Sequence, residues 1–122
     1  MKKAINLLAV LLLIATSIQA QVAVSGDITT NTTWTASNTY LIKGFVRVKS
    51  GATLTIEPGT IIFGENSSQG SLIVLPGGKI NAQGTAEKPI VFTSEFAKYG
   101  ASRKPTYGDW GGIIILGNAP IN

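Results

Sequence analysis

The chain has 122 residues, ten Lys or Arg against six Asp or Glu (net charge +4), and neither cysteine nor histidine. That excludes disulfides, a lipoprotein cysteine anchor and thiolate metal sites, and removes the commonest general base and metal ligand. Fourteen glycines and five prolines among many Thr, Val and Ile indicate short strands joined by tight turns.

The N-terminus reads as a removable leader. Met1, Lys2 and Lys3 make a positive start, residues 7–15 an apolar core too short to span a bilayer as an ordinary helix, and Ile18 and Ala20 occupy the positions a signal peptidase reads. Cleavage is expected between Ala20 and Gln21, which implies export to the cell surface or medium with no stable membrane span in the mature chain. The alternative is a buried or membrane-anchoring N-terminal helix. With residues 1–20 set aside, eight Lys or Arg face six acids, a net +2 too mild and scattered to indicate nucleic acid.

Residues 21–39 are polar and rich in Thr and Asn, with Val22, Val24, Ile28 and Trp34 as sparse apolar points. A stacked-coil protein needs an atypical first element over the open end of its core, so this segment is expected to be an N-terminal cap, with Trp34 lying on the first coil. An exposed sugar-stacking ring is the competing reading of Trp34. Asn31 and Asn66 each begin a glycosylation sequon, a short match that arises often by chance in Thr- and Ser-rich loops.

Residues 44–92 carry one unit written twice. An offset of 26 puts Val46 on Leu72, Val48 on Val74, Gly51 on Gly77 and Leu54 on Ile80; beyond the next turn, an offset of 29 puts Ile61, Ile62 and Phe63 on Ile90, Val91 and Phe92. Repeats of this length between Gly and Pro point to the coils of a solenoid. Within the unit, Leu54 and Ile56 alternate with Thr53, Thr55 and Glu57, the period of a half-buried strand. Gly51 suits a bend at positive φ, and Pro58-Gly59 suits a type II turn. Like-on-like stacking is expected to place Val48 on Val74, Leu54 on Ile80 and Phe63 on Phe92. A third copy starts at an offset of 41, with Ile113 and Ile115 under Leu72 and Val74. Asn118 falls at the Gly51/Gly77 corner, where Asn tolerates the left-handed conformation. The third coil is incomplete and preceded by an insertion, residues 94–109. Its bare strand edge leads to the expectation that the chain is the front of a longer protein whose remaining coils cover it.

Three segments, GATLTIEPGT (51–60), GTAEKPIVFT (84–93) and YGDWGGI (107–113), resemble secreted right-handed parallel β-helix proteins of the pectin-lyase-like superfamily, common as large surface proteins of Bacteroidota-type bacteria. The resemblance covers nearly all of the chain after residue 20. It implies an all-β solenoid, here an N-terminal cap (21–39) and about two and a half coils (40–122), in proteins typically several times longer. It implies a fold and a compartment far more firmly than an activity.

Some β-helix relatives are polysaccharide lyases or glycosidases, which need clustered carboxylates for calcium or a carboxylate pair about 5–10 Å apart. The acids Asp27, Glu57, Glu65, Glu87, Glu95 and Asp109 show no such pairing or ligand spacing, so no catalytic residue, metal ligand or cofactor site is assigned. The candidate binding element is the insertion with Trp110. Tyr99, Arg103, Tyr107 and Trp110 are the residues suited to an acidic polysaccharide or surface glycan, with Phe96, Lys98 and Lys104 beside them. The competing reading has Tyr107 and Trp110 pin the loop to the solenoid, with Gly108, Gly111 and Gly112 allowing close approach. An ice-ordering Thr ladder is excluded, because Lys79 and Asn81 replace Thr53 and Thr55 one coil on. The expected role is a surface scaffold or adhesin-like module. The alternatives are a glycan-binding module and the front of a carbohydrate-active enzyme whose catalytic coils lie beyond Asn122.

Overall fold

The computed structural model describes residues 19–119; the expected leader, apart from its last two residues, Gln19 and Ala20, lies outside them. Nine strands form in chain order: β1 (Ala20–Ile28), β2 (Thr32–Trp34), β3 (Asn38–Val48), β4 (Thr53–Ile56), β5 (Ile61–Gly64), β6 (Ser71–Val74), β7 (Lys79–Ala82), β8 (Val91–Ser94) and β9 (Gly112–Ile115). A 3-10 turn over Glu95–Ala97 is the one helical piece among the described residues. Every pairing is parallel, in one sheet ordered β8-β5-β3-β6-β9 with β1 also on β3, and a second ordered β2-β4-β7. This is a parallel β-helix.

Three faces surround one core. The long strand β3 contributes to two of them, its first half pairing with β5 and its second half with β6. The corner between the halves falls at Gly44, whose φ of 63° is open to a residue without Cβ. The third face is β2-β4-β7. Inward positions alternate along each strand, so Ile42, Val46, Val48, Leu54, Ile56, Ile62, Leu72 and Val74 are all but sealed from water. Burying each contributes roughly 1.5–3 kcal/mol. At the N-terminal end Trp34 stacks on Tyr40, ring centroids 4.9 Å apart, and the Tyr40 hydroxyl accepts from the Thr35 N–H at 2.8 Å. The Trp34 ring is therefore packed and not free for stacking on a sugar.

Strands from the segment 21–39 join the ladders of the strands that follow. β1 pairs with β3 from Ala20↔Asn38 to Ile28↔Val48, and β2 pairs with β4 from Thr32↔Leu54 to Trp34↔Ile56. Its offsets to the next turn, between 18 and 22, are shorter than the 26 of the later coils, which is why the repeat does not show there.

The 26-residue register holds, with Val46↔Leu72, Val48↔Val74 and Leu54↔Ile80 paired, and Ile113 and Ile115 sit under Leu72 and Val74. The step from β5 to β8 needs correction. Ile61 pairs with Val91, Ile62 with Phe92 and Phe63 with Thr93, an offset of 30. The extra residue is absorbed in the corner after β7, so β8 begins at Val91. One residue of slip reverses facing: the inward column is Tyr40, Ile62, Phe92, and the expected Phe63–Phe92 ladder does not form. Asn118 does not adopt the left-handed conformation either. Gln69, at φ 51°, is the one non-glycine residue that does among the described residues.

Candidate functional site

The insertion is an ordered loop built around one carboxylate. Ser94 ends β8 and caps the 3-10 turn, its hydroxyl accepting from the Phe96 N–H at 3.1 Å and donating to Asp109 Oδ2 at 2.9 Å. Asp109 is only 3% exposed and collects further donors: Arg103 Nη2 at 2.7 Å, Thr106 N at 2.8 Å, Thr106 Oγ1 at 3.0 Å and, more distantly, Arg103 Nη1 at 3.4 Å. The Arg103 guanidinium lies 3.9 Å from the centre of the Phe96 ring. Arg103, then the Thr106 N–H, and then the two hydroxyls hold the Asp109 carboxyl well below the usual carboxylate range against the opposing effect of burial.

The preceding coil grips this loop through its turn at residues 65–70. Asn66 donates its backbone N–H to Glu95 Oε1 at 2.7 Å and its side-chain amide to the Asp109 carbonyl at 2.9 Å. Gln69 Nε2 reaches the Gly108 carbonyl at 3.2 Å, and the Gly111 N–H donates to the Gly70 carbonyl at 2.9 Å. Trp110 packs over Gly64, where a Cβ would collide with the ring. The segment YGDWGGI is thus legible residue by residue. Asp109 gathers donors, Trp110 seats on Gly64, Gly111 passes against Ser71 where a Cβ would strike the hydroxyl, and Ile113 enters the core column.

The four candidate residues do not converge. Arg103 is engaged by Asp109 and Phe96, and Trp110 by the coil. Tyr99 and Tyr107 are fully exposed, so Tyr107, expected to help pin the loop, does not. Tyr99 stands at a groove of about 590 Å³ on the outer side of the β5-containing sheet, with Gln21, Thr39, Ile61, Thr93 and Lys98 among its lining. Tyr107 borders a separate recess with Pro105 and Thr106.

The remaining acids mostly serve structure. Asp27 faces Arg47 at 3.6 Å and Lys49 at 3.5 Å, Glu65 faces Lys43 at 3.4 Å, and Glu57 Oε2 accepts from the Ala36 N–H at 3.2 Å. Ser68, with Ser67 and Lys43, lowers the Glu65 carboxyl from its ordinary value despite some burial. Among the described residues no three His, Cys, Asp or Glu side chains gather as metal ligands. Sequence reasoning missed Ser94, Thr106, Asn66 and Gln69. Asn66 meets Asp109 across 43 residues, a distance no local spacing announces. Of the two sequon asparagines, Asn66 has its side-chain nitrogen engaged by the Asp109 carbonyl, whereas Asn31 is held through its oxygen by the Thr53 N–H at 3.0 Å.

The family model for the pectate-lyase-like β-helix domain matches residues 26–122. No curated protein and no solved structure matches the chain.

Proposed function

Because the chain belongs to the pectate-lyase-like β-helix family, we propose that it is an exported, non-enzymatic scaffold module that holds its insertion loop away from a rigid solenoid. The observation that supports this reading is the division of labour in the fold. The parallel ladders and their buried core are continuous through the described coils, while the long irregular segment before β9 is gripped from below and bears two fully exposed tyrosines. The sequence of residues 1–20 supports export. Further coils are proposed to stack on β7, β8 and β9, where the core-facing Ile113 and Ile115 are 38% and 64% exposed. The test is expression with the leader intact in a Gram-negative host. Export predicts a mature N-terminus at Gln21 and protease accessibility on whole cells. An uncleaved chain retained in the cytoplasm would sink the proposal.

A glycan-binding reading has one observation in its favour, the free Tyr99 ring beside hydroxyl, amide and Lys98 groups at the groove. Tyr99→Ala is expected to weaken retention on an immobilised acidic polysaccharide while leaving β-rich circular dichroism intact. Equal retention of the variant and the parent chain would rule the site out. Arg103 is a poor probe of this reading, since its loss also disturbs the loop.

A further inference from the structure

We infer that residues 95–110 form a strap closed by a single lock, the Asp109 carboxylate, which opens as one unit while the coils beneath stay folded. The inference rests on the fold alone and does not depend on the glycan reading. Three features carry it.

The first is convergence. Ser94 at the end of β8, where the strap begins, Arg103 and Thr106 in its middle and Asp109 near its other end meet at two carboxylate oxygens. An ionised carboxylate offers about four acceptor sites, so this one is filled by the strap and by Ser94 at the strand end it leaves. Removing its charge takes the ion-pair partner from Arg103, which keeps only the Lys104 carbonyl at 2.9 Å and the Thr106 hydroxyl at 3.2 Å, and no other carboxylate among the described residues bonds to Arg103. The second is the nature of the seat. Apart from Trp110 on Gly64, the bonds that hold the strap to the coil are polar and lie at its two ends, through Asn66, Gln69 and Gly70. Its middle, residues 97–108, is almost wholly exposed, and neither tyrosine packs on the solenoid. The third is separability. The core cluster runs through β2 to β6 and includes no residue of the strap other than Trp110 at its margin. Releasing the strap therefore uncovers Gly64 without cutting a strand ladder. Segments with few buried apolar contacts open locally at lower free energy than the strands they lie on.

The lock also guards a peptide bond. Arg103–Lys104 is the tryptic bond nearest the middle of the strap, and Lys104 is followed by Pro105. Trypsin must take the arginine side chain into its own pocket, and in the closed strap that side chain is held by Asp109 and Phe96.

The test uses the whole mature chain and compares it with Asp109→Asn at a fixed low trypsin concentration. Fragment masses give the rate at Arg103–Lys104, tryptophan emission reports Trp110, and circular dichroism reports the coils. The expected result is a rise in cleavage of about tenfold or more, as for loss of one charge-assisted lock, with red-shifted emission and an unchanged β signal. Trp34 is buried in the core, so a shift at intact β signal belongs to Trp110. Unchanged cleavage or unchanged emission would overturn the inference. Should Asp109→Asn lose its β signal, Arg103→Met decides through emission: a red shift with the coils intact upholds the strap, and no shift removes it. Loss of the coil signal in both variants would also overturn it, since the lock would then belong to the core.

Discussion

Gly64 shows how one hydrogen atom in place of a methyl group sets the position of a loop. Its backbone is not in the left-handed region, so the demand for glycine is steric and comes from the Trp110 ring. Gly64→Ala is expected to push Trp110 off its seat at about 1–3 kcal/mol of overpacking, read as a lower urea midpoint and red-shifted tryptophan emission. Unshifted emission would place the ring elsewhere in solution. Asp109 makes a second prediction at this scale. Its folded carboxyl lies below the ordinary value of 3.8, so its contribution is complete above that value and is lost only as pH falls through the lower folded one. Trp110 emission should stay constant from neutrality down to pH 3.8 and change only below it. A loop transition centred at or above that pH would contradict the hydrogen bonding at Asp109. The charge identities were plain in the sequence, but the convergence was not, because Ser94, Arg103, Thr106 and Asp109 are brought together by loop geometry and not by a repeating period.

At the scale of the element, what could be read in advance was what repeats. The 26-residue offset placed Val46 over Leu72 and Leu54 over Ile80 because corners with positive-φ glycines and two-residue alternation leave the chain one register on those faces. The β5–β8 face slipped by one residue because the corner after β7 has no such marker and its length is set by how the chain meets β5, a tertiary matter. The first turn escaped the repeat for a similar reason: its offsets differ from those of the later coils, and only pairing with β3 and β4 reveals it. The corners themselves are testable. Gly44 and Gly77 both have positive φ, 63° and 83°, but a Cβ at Gly44 meets nothing while one at Gly77 runs into the Ser50 hydroxyl. Gly44→Ala should therefore cost about 1–2 kcal/mol from backbone strain alone, and Gly77→Ala visibly more in the same urea titration. Equal losses would mean that the Ser50 contact has no weight.

For the whole molecule, the solenoid makes stability a matter of neighbours. Each coil is closed by the one above and the one below, so an inward side chain with both neighbours present should matter more than the same column's last member. Val46, Leu72 and Ile113 form such a column, paired Val46↔Leu72 and Leu72↔Ile113. Leu72 is fully buried between its partners, whereas Ile113 is 38% exposed at the edge of the described coils. Leu72→Ala leaves a cavity that neither neighbour can fill and should cost about 2–5 kcal/mol. Ile113→Ala removes a side chain already part-solvated and should fall below that range, with its loss confined to β9 and the strap beside it. Urea unfolding of both variants by β-sheet circular dichroism makes the comparison. If β9 carries further coils in the native protein, the gap should close when the same pair is measured in the longer chain, because Ile113 then gains the second neighbour that Leu72 already has. A gap that persists in the longer chain would mean that β9 stays an edge, and that its exposed isoleucines face solvent or another partner.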